Sequence, residues 1–393
     1  MNSGFIDKEL LQRLQLEANS YEWVADNARL AALCELWQQR PILALDTEFQ
    51  RTDTFFPIPG LIQVASEGKC YLLDPLAITD FQPFVELMQN PQVLKVLHAC
   101  SEDLELLVHC YGVVPTPLFD TQVACAFLGM GLSIGYQRLL DTLFCLEVDK
   151  EETRSDWLQR PLTESQKIYA AVDVVYLEVI YDLLLSRLNE QQKYPWVLED
   201  CQRQTDAAME SDDLELSYLQ RFKQSWKLKS RQLSVLKALS TWREVECRKR
   251  DMPRNFLLHN QSVMDIAINP PFSMRELSSV ERMRGKTVSS YGEQLLALVS
   301  EAWNVPEHEY PEPPPRPLPG NWNKRVKELK VLINATAERM ELSPEMLVRR
   351  KDLEKLIRSG LNGGDFELPE ELCGWRQAVI SEQLLAQLGQ NSQ

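Results

Sequence analysis

Three separate stretches of the chain carry acids whose spacing could support chemistry. The first is PILALDTEFQ, Pro41 to Gln50, where four apolar residues, Ile42 to Leu45, are followed by Asp46 and Glu48. In a strand, residues i and i+2 share a face, so the two carboxylates point the same way. They repel each other, and burying them unpaired is costly. A divalent cation resolves both problems. Hard oxygen ligands suit magnesium or manganese, and such sites keep positions open for water and phosphate. Taken alone, a D-x-E is more often two acids exposed beyond the end of a strand. The second stretch, LHACSEDLELL, places Asp103 on the first turn of a helix after a strand, where an acid also favours the helix dipole. The third, YAAVD, places Tyr169 and Asp173 at i and i+4 on one helical face. Four carboxylates from three remote segments can enclose two cations about 3.5–4 Å apart, the arrangement that serves phosphoryl displacement.

The elements that must position these acids are legible as patterns. ILALD, LIQVAS and KCYLLD read as adjacent strands, and VLKVLHA as another that carries His98 ahead of Asp103. FQPFVELMQN has helical spacing and stops before Pro91. SEDLELLVHCYG reads as a helix with Ser101 as N-cap and Gly112 as C-cap. TQVACAFLG reads as a short helix, and TESQKIYAAVDVVYLEVIYDLLLSRL as one long helix opened by a capping box of Thr163 and Gln166. Strands and helices mixed in one domain imply an α/β or α+β sheet fold. Beyond Asp200 the strand signals fade. TDAAMESDDLELSY is an acidic bridge, and helical patterning then continues to Ser300. Val305 to Gly320 contains seven prolines and reads as an extended, semi-rigid spacer. Helical patterning resumes after it, and the two helical segments read as distant copies of one unit.

A chain of 393 residues implies two or three domains. Its 44% apolar and 25% charged residues are ordinary for a globular protein. No apolar run is long enough to span a membrane. The first twenty residues read as a short amphipathic helix or a loose tail rather than a signal peptide. Nine scattered cysteines without a C-x-x-C pair argue against a disulfide framework and a zinc site, and favour a reducing, cytoplasmic setting. The net charge of −15 argues against a simple nucleic-acid binder. Yet Arg221 to Arg250 carries ten Lys/Arg against two Glu. This is either a local basic face that recruits nucleic acid or a solvated helix surface.

With all three acidic motifs in order, the chain resembles the DEDD exonucleases, in the subgroup with tyrosine in the third motif, and within it the ribonuclease D group. The matches are ALDTEFQRTDTFFP with GLIQVA, LHACSEDLELL, and SDWLQRPLTESQKIYAAVDVVYL, covering residues 21–200 closely. The segment from about Leu214 to Glu301 resembles an HRDC domain through LKALSTWREVECRKRDMPRNFLLHNQSVMDIA and SMRELSSVERMRGKTVSSYGEQLLALV. The segment after the prolines is a fainter match, through LPEELCGWRQAVI.

The resemblance implies a mixed-sheet α/β, ribonuclease H-like exonuclease domain over 1–205. Two all-α domains follow at 211–302 and 321–393, separated by a proline-rich linker at 303–320. It implies that Asp46, Glu48, Asp103 and Asp173 bind two divalent metal ions, Mg2+ or Mn2+, and that Tyr169 orients the attacking water. A phenol with an ordinary pKa of about 10 is a poor base at neutral pH, which favours positioning over proton abstraction. His98 is either a supporting group behind the carboxylates or a packed, hydrogen-bonded histidine. Phe55 and Phe56 either stack on terminal bases or pack in the core. Arg160 either touches phosphate or closes a loop salt bridge. Arg248, Lys249 and Arg250 are the candidate phosphate-contacting residues of the HRDC-like segment. The implied activity is 3′-to-5′ removal of nucleotides, as 5′-monophosphates, from single-stranded 3′ tails of structured RNA such as transfer RNA precursors. No membrane and no obligate protein partner are implied. A DNA-directed relative and a non-catalytic RNA-binding protein are the alternatives; the intact carboxylate set counts against the second.

Overall fold

The computed structural model of the protein describes residues 8–148, 152, 154–210, 213–361 and 363–389. They fall into two compact units, one of residues 1–50, 59–209 and 318–393, the other of residues 51–58 and 210–317.

The first unit is built on six strands, β1 (Glu22–Val24), β2 (Ile42–Gln50), β3 (Ile58–Ser66), β4 (Lys69–Leu73), β5 (Leu94–Leu97) and β6 (Leu118–Asp120). Their order is β1-β4-β3-β2-β5-β6. β1 runs parallel to β4, β2 to β5 and β5 to β6, whereas β3 and β4 are antiparallel, so the sheet is mixed, as expected. β3 is buried from Gly60 to Ser66, which is why LIQVAS is mostly apolar and does not alternate. The edge strands β1 and β6 span three residues each, too few to show a period.

The helices of this part are α1 (Lys8–Ala18), α2 (Asn27–Trp37), α3 (Gln82–Gln89), α4 (Ser101–Tyr111), α5 (Thr121–Phe127), α6 (Tyr136–Phe144), α7 (Glu164–Val175), α8 (Leu177–Glu190) and α9 (Tyr194–Met209). Several differ from expectation. β2 does not stop at Leu45 but continues through Asp46 and Glu48 to Gln50. Ser101 is the first helical residue of α4; the cap position falls to Cys100, which makes no side-chain cap. Gly112 does close α4 in the left-handed conformation, φ 66°. The single long helix expected from Glu164 breaks at Tyr176. No glycine or proline marks the break. Both helices pack on β2, but α7 extends from it to β4 and α8 to β5 and α5, so the two halves follow opposite sides of β2 in a twisted sheet. α9 reaches Met209 and takes up the first five residues of the acidic bridge.

The second unit comprises α10 (Ser217–Arg221), α11 (Ser230–Lys249), α12 (Arg254–Leu257), α13 (Asn260–Ile268), α14 (Met274–Ser278) and α15 (Gly285–Trp303). α11 is its centre: Leu233, Leu236 and Leu239 are buried with Val263 and Ile266 of α13 and Leu295 and Val299 of α15. The proline-rich stretch that follows holds one 3-10 turn, Glu307–Glu309, and otherwise forms no regular element up to Pro319.

The chain then returns to the first unit as α16 (Asn323–Met340), α17 (Pro344–Leu347), α18 (Arg350–Ser359) and α19 (Glu382–Gly389). Leu329, Ile333, Leu356 and Trp375 join the core begun by the sheet. Trp375 stacks on Trp196 with centroids 4.9 Å apart and planes 12° from parallel. Arg376 clamps Asp200 with two hydrogen bonds of 2.7 and 2.8 Å. Lys193 donates to the carbonyls of Phe127 and Met340 at 2.9 and 2.8 Å. Among the described residues no helix is long and apolar enough to cross a membrane. The cysteines are all free thiols.

Candidate active site

β2 lies at the middle of the sheet, and its alternation turns Asp46 and Glu48 to one face. α7 brings Asp173 to the same place. One carboxylate oxygen from each of Asp46, Glu48 and Asp173 lies within 4.8 Å of the others. Tyr169, one turn before Asp173, donates its hydroxyl to the Asp173 carboxylate. The Trp157 ring lies 6.1 Å from that of Tyr169.

Asp103 arrives from the first turn of α4 and is 7% exposed. Thr47, between the two acids of β2, donates its hydroxyl to Asp103. The turn before α4 is bolted by Asp120, which is buried at the N-cap of α5. Its carboxylate accepts from the backbone N–H of Ala99 at 3.0 Å, of Cys100 at 3.1 Å and of Gln122 at 2.7 Å. Ala99 sits at φ 57°, a left-handed conformation that a non-glycine residue holds only when its surroundings impose it.

A cavity of about 520 Å3 opens over these groups, lined by Asp46, Tyr169 and Asp173 on one side and by His98 and Gly135 to Arg138 on the other. His98 lies one residue beyond β5 rather than on it. Burial lowers its pKa, against the pull of the Asp120 charge and the Ile134 hydrogen bond, which favours the neutral ring. A carbonyl only accepts, so Nε2 carries the proton and donates to the Ile134 carbonyl at 3.0 Å, while Nδ1 faces the Thr121 hydroxyl at 2.8 Å. Gln122 donates to the same carbonyl at 3.0 Å, and Tyr136 donates to the Val172 carbonyl at 2.9 Å. These bonds hold the start of α6 against the site. Arg138 is the one cation among the described lining residues, and its side chain is exposed.

Burial raises the pKa of all four acids, and the charges of their neighbours in the cluster add to it at Asp46 and Glu48. Burial, followed by the charges of Asp103, Asp173 and Glu48, holds Asp46 well above the carboxylate range. Burial, then Asp173 and Asp103, pushes Glu48 up to about 9. Burial lifts Asp173 to about 7, against the pull of the Tyr169 hydrogen bond, and Asp103 to about 6, against that of Thr47. Positive charge is what this cluster lacks, and its donors are all oxygen. A hard divalent cation fits both conditions. The acidic cluster is therefore able to bind metal.

Three family models match the chain in succession: a 3′-5′ exonuclease over residues 21–189, an HRDC domain over 232–299, and the C-terminal HRDC domain of ribonuclease D over 319–384. Ribonuclease D from Pseudomonas paraeruginosa is 43% identical over 369 residues, covering 94% of this chain and 97% of that protein. The chain belongs to the ribonuclease D family. The Escherichia coli ribonuclease D is 36% identical over 373 residues, covering 93% of this chain and 97% of its own. A crystal structure of that enzyme, described as an exoribonuclease involved in structured RNA processing, matches with a TM-score of 0.89 at 35% identity, over 95% of this chain and all of that one.

Some residues singled out by the ribonuclease D resemblance lie elsewhere. Arg160 is the loop salt bridge rather than a phosphate contact. Its Nε and Nη2 bind Asp74 at 3.0 and 2.6 Å. Nη2 also binds the Gly60 carbonyl at 2.7 Å, and Nη1 binds those of Trp157 and Gln159 at 3.0 and 2.8 Å. All five donors are used. Phe55 is core rather than a stacking platform. It is 4% exposed, packs with Cys247 and Leu257, and has the guanidinium carbons of Arg254 and Arg248 at 4.2 and 5.0 Å from its ring centre. Phe56 is half-buried beside it. Lys249 and Arg250 are exposed, Arg250 paired with Glu246, and Arg248 lies 4.0 Å from Glu244. Thr47, between the two acids of the first motif, and Asp120 and the Gly135–Arg138 segment, outside the acidic motifs, also serve the site. Only Asp120 carried a signal, as an Asp in N-cap position before TQVACAF.

Proposed function

We propose that this member of the ribonuclease D family, a 3′-to-5′ exoribonuclease, trims single-stranded 3′ tails of structured RNAs in the cytoplasm, transfer RNA precursors among them, and releases 5′-mononucleotides. The observation that carries this reading is the convergence of Asp46, Glu48 and Asp173 within 4.8 Å under an open cavity.

Asp46, Glu48 and Asp173 would hold one divalent ion, Mg2+ or Mn2+, and Asp103 with Asp46 would hold a second. Bound there, the ions supply charge for the phosphate and lower the pKa of the attacking water. The protein's own groups do the rest. Tyr169 positions that water; its hydroxyl is already engaged with Asp173, which suits an orienting role. Arg138, exposed at the cavity rim, would meet the phosphate of the terminal nucleotide. His98 keeps the start of α6, and with it Arg138, in place. The backbone and a terminal nucleotide carry no sequence code, so base identity matters little. We propose the boundaries 1–205 for the exonuclease domain, 211–302 and 321–393 for the two helical domains, and 303–320 for the linker.

The test is a 3′-tailed transfer RNA and its DNA counterpart, incubated with magnesium, with manganese or with chelator, and resolved by length. The reading predicts RNA shortened one nucleotide at a time from the 3′ end, only with metal, and more slowly for DNA, which lacks the 2′-hydroxyl. Internal cleavage, or shortening in chelator, overturns it.

A further inference from the structure

The basic stretch Arg221–Arg250 distributes its charge unevenly once folded. Arg243 is fully buried and donates to the Leu258 carbonyl at 2.9 Å. Arg221 and Arg254 grip Glu244, itself 1% exposed, at 2.9 and 2.5 Å. Burial alone would raise Glu244, but the Arg254 hydrogen bonds and the surrounding guanidinium charges hold it below the usual range. Arg250 pairs with Glu246 and Lys237 with Glu215. Glu244, Glu246 and Glu215 thus each engage cations within the fold, and the resemblance-based candidates Arg248 and Arg250 have acidic neighbours, Glu244 at 4.0 Å and Glu246.

Lys223 and Lys227 differ. Both are exposed, and neither has an acidic partner among the described residues; Lys227 donates only to the Gln224 side chain, at 2.9 Å. Both line a cleft of about 410 Å3 between the segment after α10 and helix α13. Met264 and Ile268 give it an apolar wall, with Ile268 41% exposed. Asn260 and Gln261 add side-chain amides. Among the described residues no carboxylate lines the cleft; Asp265 of α13 is hydrogen-bonded to Gln261.

We propose that this cleft docks one nucleotide of a single RNA strand. Lys223 and Lys227 meet flanking phosphates, the Met264 and Ile268 side chains cover a base face, and the amides face the base edge. Charge complementarity selects the occupant. A chain of net charge −15 repels phosphate at long range, so affinity must come from local, unneutralised cations. The volume lies within the range of about 300–1,000 Å3 of ligand clefts. The inference rests on the exoribonuclease reading and names a second place where that substrate is held.

The experiment measures the affinity of the full chain for a 3′-tailed hairpin RNA in chelator, so that the RNA is not shortened, across a salt series. Lys223→Glu/Lys227→Glu is expected to bind about tenfold or more weakly at about 100 mM salt, and to flatten the slope of log affinity against log salt by about 1.4, two single-strand phosphate contacts. Lys223→Gln/Lys227→Gln, with an unchanged melting curve, is expected to flatten the slope equally. Lys249→Gln/Arg250→Gln serves as comparison. Wild-type slope and affinity in the glutamine pair, or a loss confined to the Lys249/Arg250 pair, overturns the proposal. Shortening of the same RNA by wild-type protein with metal is read separately, so failure of the nuclease reading is distinguishable from failure of the cleft.

Discussion

At the scale of single residues, the site is a concentration of like charge that needs a cation. Asp46→Ala removes the carboxylate proposed to be shared between two ions and is expected to lower turnover by about 10³-fold or more, while affinity for RNA in chelator persists. Single-turnover decay of a labelled tail checks this, and near-normal turnover contradicts the assignment. Tyr169→Phe keeps the ring but removes the hydroxyl that Asp173 accepts. A positioning role predicts a fall of about 10–100-fold in kcat with the shape of the pH profile kept; a general base would remove a limb of that profile. The raised acids also set a pH dependence. Glu48 keeps its proton up to about 9 in the fold but loses it near 4.5 when unfolded. Between those values the folded state binds more protons, so the metal-free protein loses stability as pH rises. Metal binding displaces those protons. The rise in Tm on adding magnesium or manganese is therefore expected to be larger at pH 8 than at pH 6, and equal shifts would contradict the coupling.

Elements place these side chains through polar groups that lie outside the acidic motifs. β5 ends at Leu97, and the chain must turn sharply, through Ala99 at φ 57°, to open α4 beneath Asp103. Asp120 holds that turn by accepting its N–H groups. Asp120→Ala leaves those donors buried without an acceptor, at a cost of about 2–3 kcal/mol. It is also expected to lower turnover by displacing Asp103, with chemical denaturation and single-turnover assays as the checks. Loss of stability with full activity would place the role of Asp120 in folding alone. The loop before α7 is set by a similar logic. Gly60 lets it lie against β3, since a Cβ there would come within 2.7 Å of Trp157 Cβ, and Arg160 ties it to Asp74 and to the Gly60 carbonyl.

At the scale of the molecule, the last segment of the chain belongs to the same core as the sheet. Asp200 and Arg376 form a largely enclosed pair, with side chains 14% and 9% exposed. Arg376→Ala would leave Asp200 with only the Trp375 indole N–H, at 3.0 Å, of its present side-chain donors. Breaking such a pair costs about 3–5 kcal/mol, so the first unit's denaturation midpoint is expected to fall accordingly. An unchanged midpoint would mean that the Trp196–Trp375 stack and its apolar surround carry the attachment. Gly374, at φ 67°, adds a steric condition: a Cβ there would overlap the Glu199 carboxylate, which accepts the Trp375 N–H at 3.0 Å.

The sequence by itself determined the parts that depend on local spacing. The i, i+2 pair of Asp46 and Glu48, the i, i+4 pair of Tyr169 and Asp173, the capping box of Thr163 and Gln166 and the glycine end of α4 are all short-range geometry, and each is present. Tertiary structure decided whatever depended on partners far along the chain. Arg160 and Phe55 carry side chains suited to phosphate and base, yet Asp74 and the Arg254 and Arg248 guanidinium groups already occupy them. A basic stretch reads as one surface on paper, but Glu244 engages Arg221 and Glu246 engages Arg250, whereas Lys223 and Lys227 face solvent without an acidic partner among the described residues. Residue type states which bonds a side chain is able to make; only the fold settles which of them are already made.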